Sequence, residues 1–375
     1  MNRQDSHSEL IDTFLKCIGS LDIDPWRSAS PEKLSVVKIT GGLTNILYKV
    51  SLTAGLRTSN SPEILVRIYG AADGLLDREK ENRILERLSE SGISPRLIAK
   101  FAWGRFEEFL STRSPLKSGV DMVRITPDCD MVALIAACLR QMHSVDLRLD
   151  HKSFSANVFE VTRRWLTLIS SFGSDIIKPS SKCPQFETPA VPNLSEQAAF
   201  VKHICLNRIV CHPRVVSSPT CQRLLNQVLC HNDMLAGNLL FDESDKSLRL
   251  IDFEYSGYNY AVADIANVCA AVCESIMLSG EPQDVGKNFP SSQIQLHFVQ
   301  KYFGDNYIID PSEHEPILLL IRAFAMAEEL RWTIWGILQS KQQVGDFDYC
   351  MYYNSRFNAY KEYRTIVEAQ LEALV

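Results

Sequence analysis

Apolar positions in the first ~110 residues recur in short alternating runs, the period of a half-buried strand. Leu34–Thr40 and Asn45–Leu52 flank Gly41-Gly42, and Glu63–Tyr69 forms a third run. Asp77–Ser91 switches to helical spacing through Ile84, Leu85 and Leu88, with Gly92 as its stop signal. Arg96–Leu110 returns to two strands broken at Trp103-Gly104. Beyond Ser111 the pattern is helical over Asp130–Asp146, Asn157–Ser171, Tyr260–Leu278, Gln293–Phe303, Glu315–Lys341 and a stretch from Phe347. Two short strands, Leu239–Asp242 and Leu248–Phe253, bracket the turn Glu243–Ser247. Gly173–Ser195 is rich in Ser, Pro and Lys with weak periodicity, and reads as a surface insertion. The pattern predicts an α+β chain with a strand-rich region over 1–110 and a mainly helical one over 111–375.

Composition narrows the class. A chain of 375 residues, 46% apolar and 22% charged, has ample core for one large or two moderate domains. The net charge of −6 and the lack of a basic block argue against nucleic acid as a partner. No run approaches eighteen apolar residues, and the first twenty lack the apolar stretch of a signal peptide. Eleven scattered cysteines without metal spacing suit free thiols in a reducing compartment, so a cytoplasmic protein is expected. Cys269 and Cys273 read as buried structural thiols.

The chemistry concentrates between His231 and Glu254. His231, Asp233 and Asn238 stand in a His-x-Asp-x-x-x-x-Asn pattern, with Asp252 at the end of an apolar run and Glu254 two residues on. Kinase-type phosphotransfer needs a carboxylate to orient and deprotonate a hydroxyl, and an amide and a second carboxylate to hold Mg²⁺ on a nucleotide. Asp233 fits the first role; Asn238 and Asp252, with Glu254 directly or through water, fit the second. The alternative is a loop merely stabilised by side-chain-to-backbone bonds. His231 reads as a brace of that loop. Protein kinases have Arg between the His and Asp and Gly after Asp-Phe; here Asn232 and Glu254 stand there, which favours a small-molecule acceptor.

Further segments fit the same reading. The strand–strand–strand–helix–strand–strand order is that of a kinase amino-terminal lobe. Gly41-Gly42-Leu43-Thr44-Asn45 is either a simple hairpin turn or a loop whose backbone covers ATP phosphates. Arg67, in an apolar strand, is either an outward edge residue or a phosphate contact braced by Glu79 or Glu81. Glu107–Leu110, including Glu108 and Leu110, occupies the place where backbone groups bind an adenine edge. Trp332 and Trp335 share a helix face and, with Tyr352, are either core or a cage for an ammonium group.

Taken together, these segments resemble the choline/ethanolamine kinase family. The resemblance rests on Gly-Gly-Leu-Thr-Asn-Ile-Leu, Glu-Ile-Leu-Val-Arg-Ile-Tyr-Gly, Gly-Arg-Phe-Glu-Glu-Phe-Leu, Cys-His-Asn-Asp-x-x-x-Gly-Asn, Ile-Asp-Phe-Glu-Tyr-Ser-Gly-Tyr-Asn-Tyr and Trp-x-x-Trp-x-x-x-Gln-x-Lys, in family order over about residues 35 to 360. It implies a bilobal protein-kinase-like fold of the aminoglycoside phosphotransferase/choline kinase type, with the active site in the cleft between lobes. It implies phosphorylation of ethanolamine and/or choline by ATP and Mg²⁺, the first step of phosphatidylethanolamine or phosphatidylcholine synthesis. Asp233 is then the base, Asn238 and Asp252 the Mg²⁺ site, Arg67 and the Gly41–Asn45 loop the phosphate contacts. Trp332, Trp335 and Tyr352 become the headgroup pocket, and a homodimer is compatible. Two departures matter. Ala271 stands where the family has a Glu that binds the ammonium, and Glu274, three residues on, is the candidate replacement. Leu235 stands where choline kinases tend to have Gln, whereas Gly237-Asn238 and Glu107-Glu108-Phe109 look more choline-type, so the resemblance is mixed and leans only slightly toward ethanolamine. The rivals are a choline-preferring kinase, another amino-alcohol or aminoglycoside-type kinase, and a pseudokinase that binds a headgroup or partner without transfer.

Overall fold

The computed structural model describes residues 12–14, 16, 30–39, 45–53, 63–70, 75–147, 151–171, 177, 188–189, 191–278, 288–342 and 347–374. The chain divides into two compact units, Met1–Leu76 with Leu88–Arg113, and Asp77–Arg87 with Ser114–Val375.

The first unit is built on an antiparallel sheet of β1 (Leu34–Ile39), β2 (Asn45–Leu52), β3 (Ile64–Tyr69), β4 (Leu97–Phe101) and β5 (Gly104–Glu108), in the order β1-β2-β3-β5-β4. Alternation puts Val50, Leu52, Ile64, Val66 and Phe106 on one face, where they pack with Phe14. Phe106 meets Phe14 edge-on at 5.3 Å between ring centroids. The break before Gly104 has a steric reason: a Cβ there would run into the Arg67 carbonyl and the Phe101 ring. Gly41–Thr44, between β1 and β2, lie outside the described residues.

Helix α1 (Arg78–Glu90) shows why the first division falls at Asp77. Lys80 reaches the Ser155 carbonyl at 3.4 Å, Arg83 lies over the Phe154 ring, and Arg87 donates to the Asp146 carbonyl at 3.2 Å. Side chains from Lys80 to Arg87 therefore make their contacts within the second unit.

That unit contains α2 (Met131–His143), α3 (Val158–Ser170), α4 (Val191–Lys202), α5 (Ala261–Leu278), α6 (Ser292–Phe303), α7 (His314–Gln342) and α8 (Tyr349–Ala373). Asp130, Asn157 and Asp348 cap α2, α3 and α8 by accepting from Ala133 N, Phe159 N and Met351 N at 2.9, 3.1 and 2.9 Å. Helix α7 is buried along most of its length and packs on α8, α5 and α3. Of the insertion expected over 173–195, residues 191–195 belong to α4 instead, because Leu194 and Val201 give that stretch a buried face, and most of 173–190 lie outside the described residues.

Short strands carry the segment of interest. In the second unit, β6 (Ser114–Pro115), β8 (Leu239–Asp242) and β9 (Ser247–Leu250) form one small sheet. A second joins β7 (Gln227–Cys230) to β10 (Gly257–Tyr260). The strand expected over Leu248–Phe253 stops at Leu250, because Asp252 turns to φ 68° and leaves the ladder. The pair β7–β10 is absent from the sequence pattern. It forms because Tyr258 is also bonded on its other side, its N to Phe154 O and its O from Ala156 N, both at 2.9 Å. Gly257 is required there, since a Cβ would lie 2.5 Å from the Phe154 carbonyl. Among the described residues, no helix is long and apolar enough to cross a membrane.

Candidate active site

Strand β7 delivers the chain into His231-Asn232-Asp233. Asn232 has φ 63°, a left-handed conformation that costs a non-glycine residue about 1 kcal/mol or more. Its own polar groups offset that cost. Its Nδ2 donates to Tyr255 O at 3.1 Å, and its Oδ1 accepts from Asn259 Nδ2 at 2.8 Å. Asp264, on α5, accepts from the Asn232 amide with Oδ1 and the His231 amide with Oδ2, both at 2.7 Å. His143 Nε2 adds a contact to Asp264 at 3.0 Å. Burial alone would raise the Asp264 carboxyl, but these partners hold it below its ordinary range. His143, Cys230 and Asp264 place ligand-type atoms within 4.8 Å of one another. Both Asp264 oxygens are committed to the loop, and burial pushes the Cys230 thiol far up, so the cluster is a hydrogen-bonded anchor rather than a metal site.

His231 braces the same loop. Its Nε2 is 2.9 Å from Ile251 O and its Nδ1 3.3 Å from Asp233 N, an arrangement for a neutral ring with Nε2–H donating. Burial lowers its pKa, in keeping with that tautomer.

Asp233 is buried. Its Oδ2 accepts from Asn238 Nδ2 at 3.1 Å, while Oδ1 is buried without a hydrogen bond. A buried carboxylate oxygen left open is costly unless a ligand completes it. Burial drives the Asp233 carboxyl well above its ordinary range; Asp252, Glu274 and Glu254 add to the rise, and Arg331 opposes it. Asn238 spends its Nδ2 on Asp233, so its amide oxygen is the atom suited to a cation. Asp252, left-handed like Asn232, follows directly after the Ile251 amide that bonds Asn238 O at 3.1 Å. Glu254 meets Arg78 Nη1 at 3.2 Å, and the same nitrogen holds Glu81 at 2.9 Å. The oxygen donors of Asn238, Asp252 and Glu254 fit a hard divalent cation such as Mg²⁺.

In the first unit Arg67 and Arg105 stand opposite each other on β3 and β5 and converge on one oxygen of Glu107, at 2.9 and 2.7 Å. Burial would raise Glu107, but the two guanidinium groups bring it down to about 2. Glu107 is a partner that sequence reasoning missed for Arg67; Glu81 lies on α1, held by Arg78. Asn45 is buried at the start of β2. Glu108 closes β5 and accepts from Arg96 N at 3.2 Å, and Leu110 O receives Arg113 N.

Trp332 and Trp335 meet edge-on at 5.5 Å between centroids, and Tyr352 on α8 meets Trp335 at 5.5 Å. Tyr255, three residues after Asp252, lies 5.3 Å from Trp332 and accepts from Trp335 Nε1 at 2.6 Å. Glu274 is buried beside this cluster and paired with Arg356 at 2.5 Å. Arg356 also holds Glu329 at 3.0 Å, so two carboxylates share one guanidinium. Burial, with Glu274 adding and Arg356 opposing, puts Glu329 at about 7. Sequence reasoning missed Asp264, Tyr255, Glu329 and Arg356. The one available signal was charge inside an apolar helix, at Glu328, Glu329 and Arg331.

Known proteins resemble this chain over most of its length. The sequence model of choline/ethanolamine kinase matches residues 36–361. A probable ethanolamine kinase of Arabidopsis thaliana is 28% identical over 348 residues, covering 91% of this chain and 82% of that protein. A choline/ethanolamine kinase of Rattus norvegicus is 28% identical over 354 residues, covering 89% and 82%. In structure, the ethanolamine kinase of Plasmodium vivax superposes with a TM-score of 0.69 at 22% identity over 99% of this chain and 97% of that one, which shows the shared fold. A match over residues 36–361 takes in the loop, the turn at Asp252 and the aromatic cluster alike, and the chain belongs to the choline/ethanolamine kinase family.

Proposed function

We propose that the protein transfers the γ-phosphoryl group of ATP to the hydroxyl of ethanolamine, choline or both, with Asp233 as the base. The observation that carries the assignment of the base is the open Oδ1 of Asp233, buried beside Asn238 and Asp252. A substrate hydroxyl donating to that oxygen completes its hydrogen bonding and is aligned for attack; the raised affinity for a proton lets the carboxylate take it as the new O–P bond forms. Asn238 and Asp252, with Glu254, would hold Mg²⁺, which neutralises charge on the transferring phosphoryl group. Arg67 and the Gly41–Asn45 loop are the proposed phosphate contacts, and Glu108 to Leu110 the adenine contact.

The acceptor's ammonium belongs among Trp332, Trp335, Tyr352 and Glu274. Aromatic faces attract a cation, and Glu274 and Glu329 share the single guanidinium of Arg356. Glu274 thereby takes over a role that Ala271 cannot perform. The test is one panel: purified protein, Mg-ATP and ethanolamine, choline or an aminoglycoside, read by ³¹P NMR, with Glu274→Ala run beside the wild type. Phosphoethanolamine or phosphocholine is the expected product, with a raised KM for the amino alcohol in the variant. No product from either amino alcohol while Mg-ATP binds would overturn the reading.

A further inference from the structure

Arg331 is an arginine only 2% exposed within the apolar helix α7. Removing a guanidinium from water costs several kcal/mol, and a core position alone would be better served by Met or Leu. Its partners show where that cost is offset. Nε donates to Glu328 Oε2 at 2.7 Å, and Nη2 donates to the Asn232 carbonyl at 2.6 Å. Its Cζ lies 4.3 Å from the centroid of Trp332 and 6.0 Å from that of Trp165. The Asn232 carbonyl belongs to the peptide that carries the Asp233 amide. That peptide follows a left-handed residue whose amide is held by Asp264 and whose side chain is held by Tyr255 O and Asn259. The carbonyl is the remaining polar group of Asn232, and Arg331 anchors it to the helix that also carries Trp332 and Trp335.

We infer that Arg331 is a positioning residue that couples the aromatic amino-alcohol cluster to the base loop, one guanidinium setting both the face of Trp332 and the plane of the Asn232–Asp233 peptide. This rests on the acceptor reading given above. A planar fork is needed to bond Asn232 and Glu328 while stacking on an indole; an ammonium offers charge without that geometry. Displacement of a reacting group by about 1 Å costs about 100-fold in rate. Arg331→Lys is therefore expected to lower kcat about 10- to 100-fold, raise the KM of the amino alcohol and leave the KM of Mg-ATP unchanged.

Three readouts separate this from a merely structural role. Hydrogen exchange at the His231–Met234 amides should speed up in Arg331→Lys while the exchange of α8 is unchanged. Arg331→Lys and Trp332→Phe should be non-additive in kcat, because each disturbs the same stack. Glu328→Gln, which loosens the guanidinium without removing it, should show the same pattern more weakly, and it carries the test if Arg331→Lys does not fold. Wild-type kcat and exchange in Arg331→Lys or in Glu328→Gln, or additivity with Trp332→Phe, would overturn the inference. A wild-type protein that phosphorylates no amino alcohol sinks the acceptor reading instead, and loop exchange in the variants still decides whether Arg331 positions the base loop.

Discussion

Asn232 and Asp252 are both non-glycine residues in left-handed backbone, and they bracket the segment that carries Asp233 and Asn238. Strain of this kind persists only where surrounding bonds over-determine it. Here they do: Asp264 takes two loop amides, and Asn267 Oδ1 takes the Met234 amide. The loop therefore presents a carboxylate whose position is set before any substrate arrives. Asp233→Asn keeps the shape and the Asn238 neighbour but cannot accept a proton. A fall in kcat of about 10³-fold, with Mg-ATP binding retained by calorimetry, is expected. An Asp233→Asn protein with wild-type turnover would remove Asp233 from the role of base. The residues of this loop were readable from sequence because they lie within a few positions of one another and their types are dictated by chemistry. Asp264, His143 and Arg331 were not, because their claim on the loop is made through space.

Helices α7 and α8 bring together Trp332, Trp335 and Tyr352, from positions up to twenty apart in sequence. Gly336 makes that approach feasible: a Cβ there would meet Tyr352 Cδ1 at 2.8 Å and Tyr353 Cβ at 2.9 Å. Tyr353 is fully buried and its Cβ cannot swing away. Gly336→Ala gains about 1 kcal/mol of helix propensity but meets an overpacking cost of about 1–3 kcal/mol. Net destabilisation in urea, with a higher KM for the amino alcohol, is expected; a stabilised variant with unchanged KM would show that the approach of the two helices does not depend on a glycine at this position. Helical spacing predicted that the two tryptophans share a face. It could not predict which helix covers them, since any apolar partner satisfies the same period.

At the scale of the molecule, two units each close their own core, and charges are buried in both. In the first, Glu107 is held at about 2 against an ordinary value near 4.5, so its ionised form stabilises the fold above pH 4.5 and loses that effect as pH falls through about 2. The shift corresponds to on the order of 3 kcal/mol at neutral pH. Urea unfolding of Glu107→Gln against wild type should show the variant less stable at pH 7, with the difference closing toward pH 2. A difference independent of pH would show that the ion pairs with Arg67 and Arg105 contribute nothing. By itself the sequence determined the α+β order, most of the strand and helix spans, and the phosphotransfer motif, because period and local spacing are one-dimensional properties. The tertiary structure alone decided which buried charges meet. Glu107 gathers Arg67 and Arg105 across a sheet, Arg356 joins Glu274 to Glu329, and Arg331 reaches from a tryptophan helix to the Asn232 carbonyl. A charge can be removed from water only where partners surround it in three dimensions, and that condition leaves no mark on the spacing of a sequence.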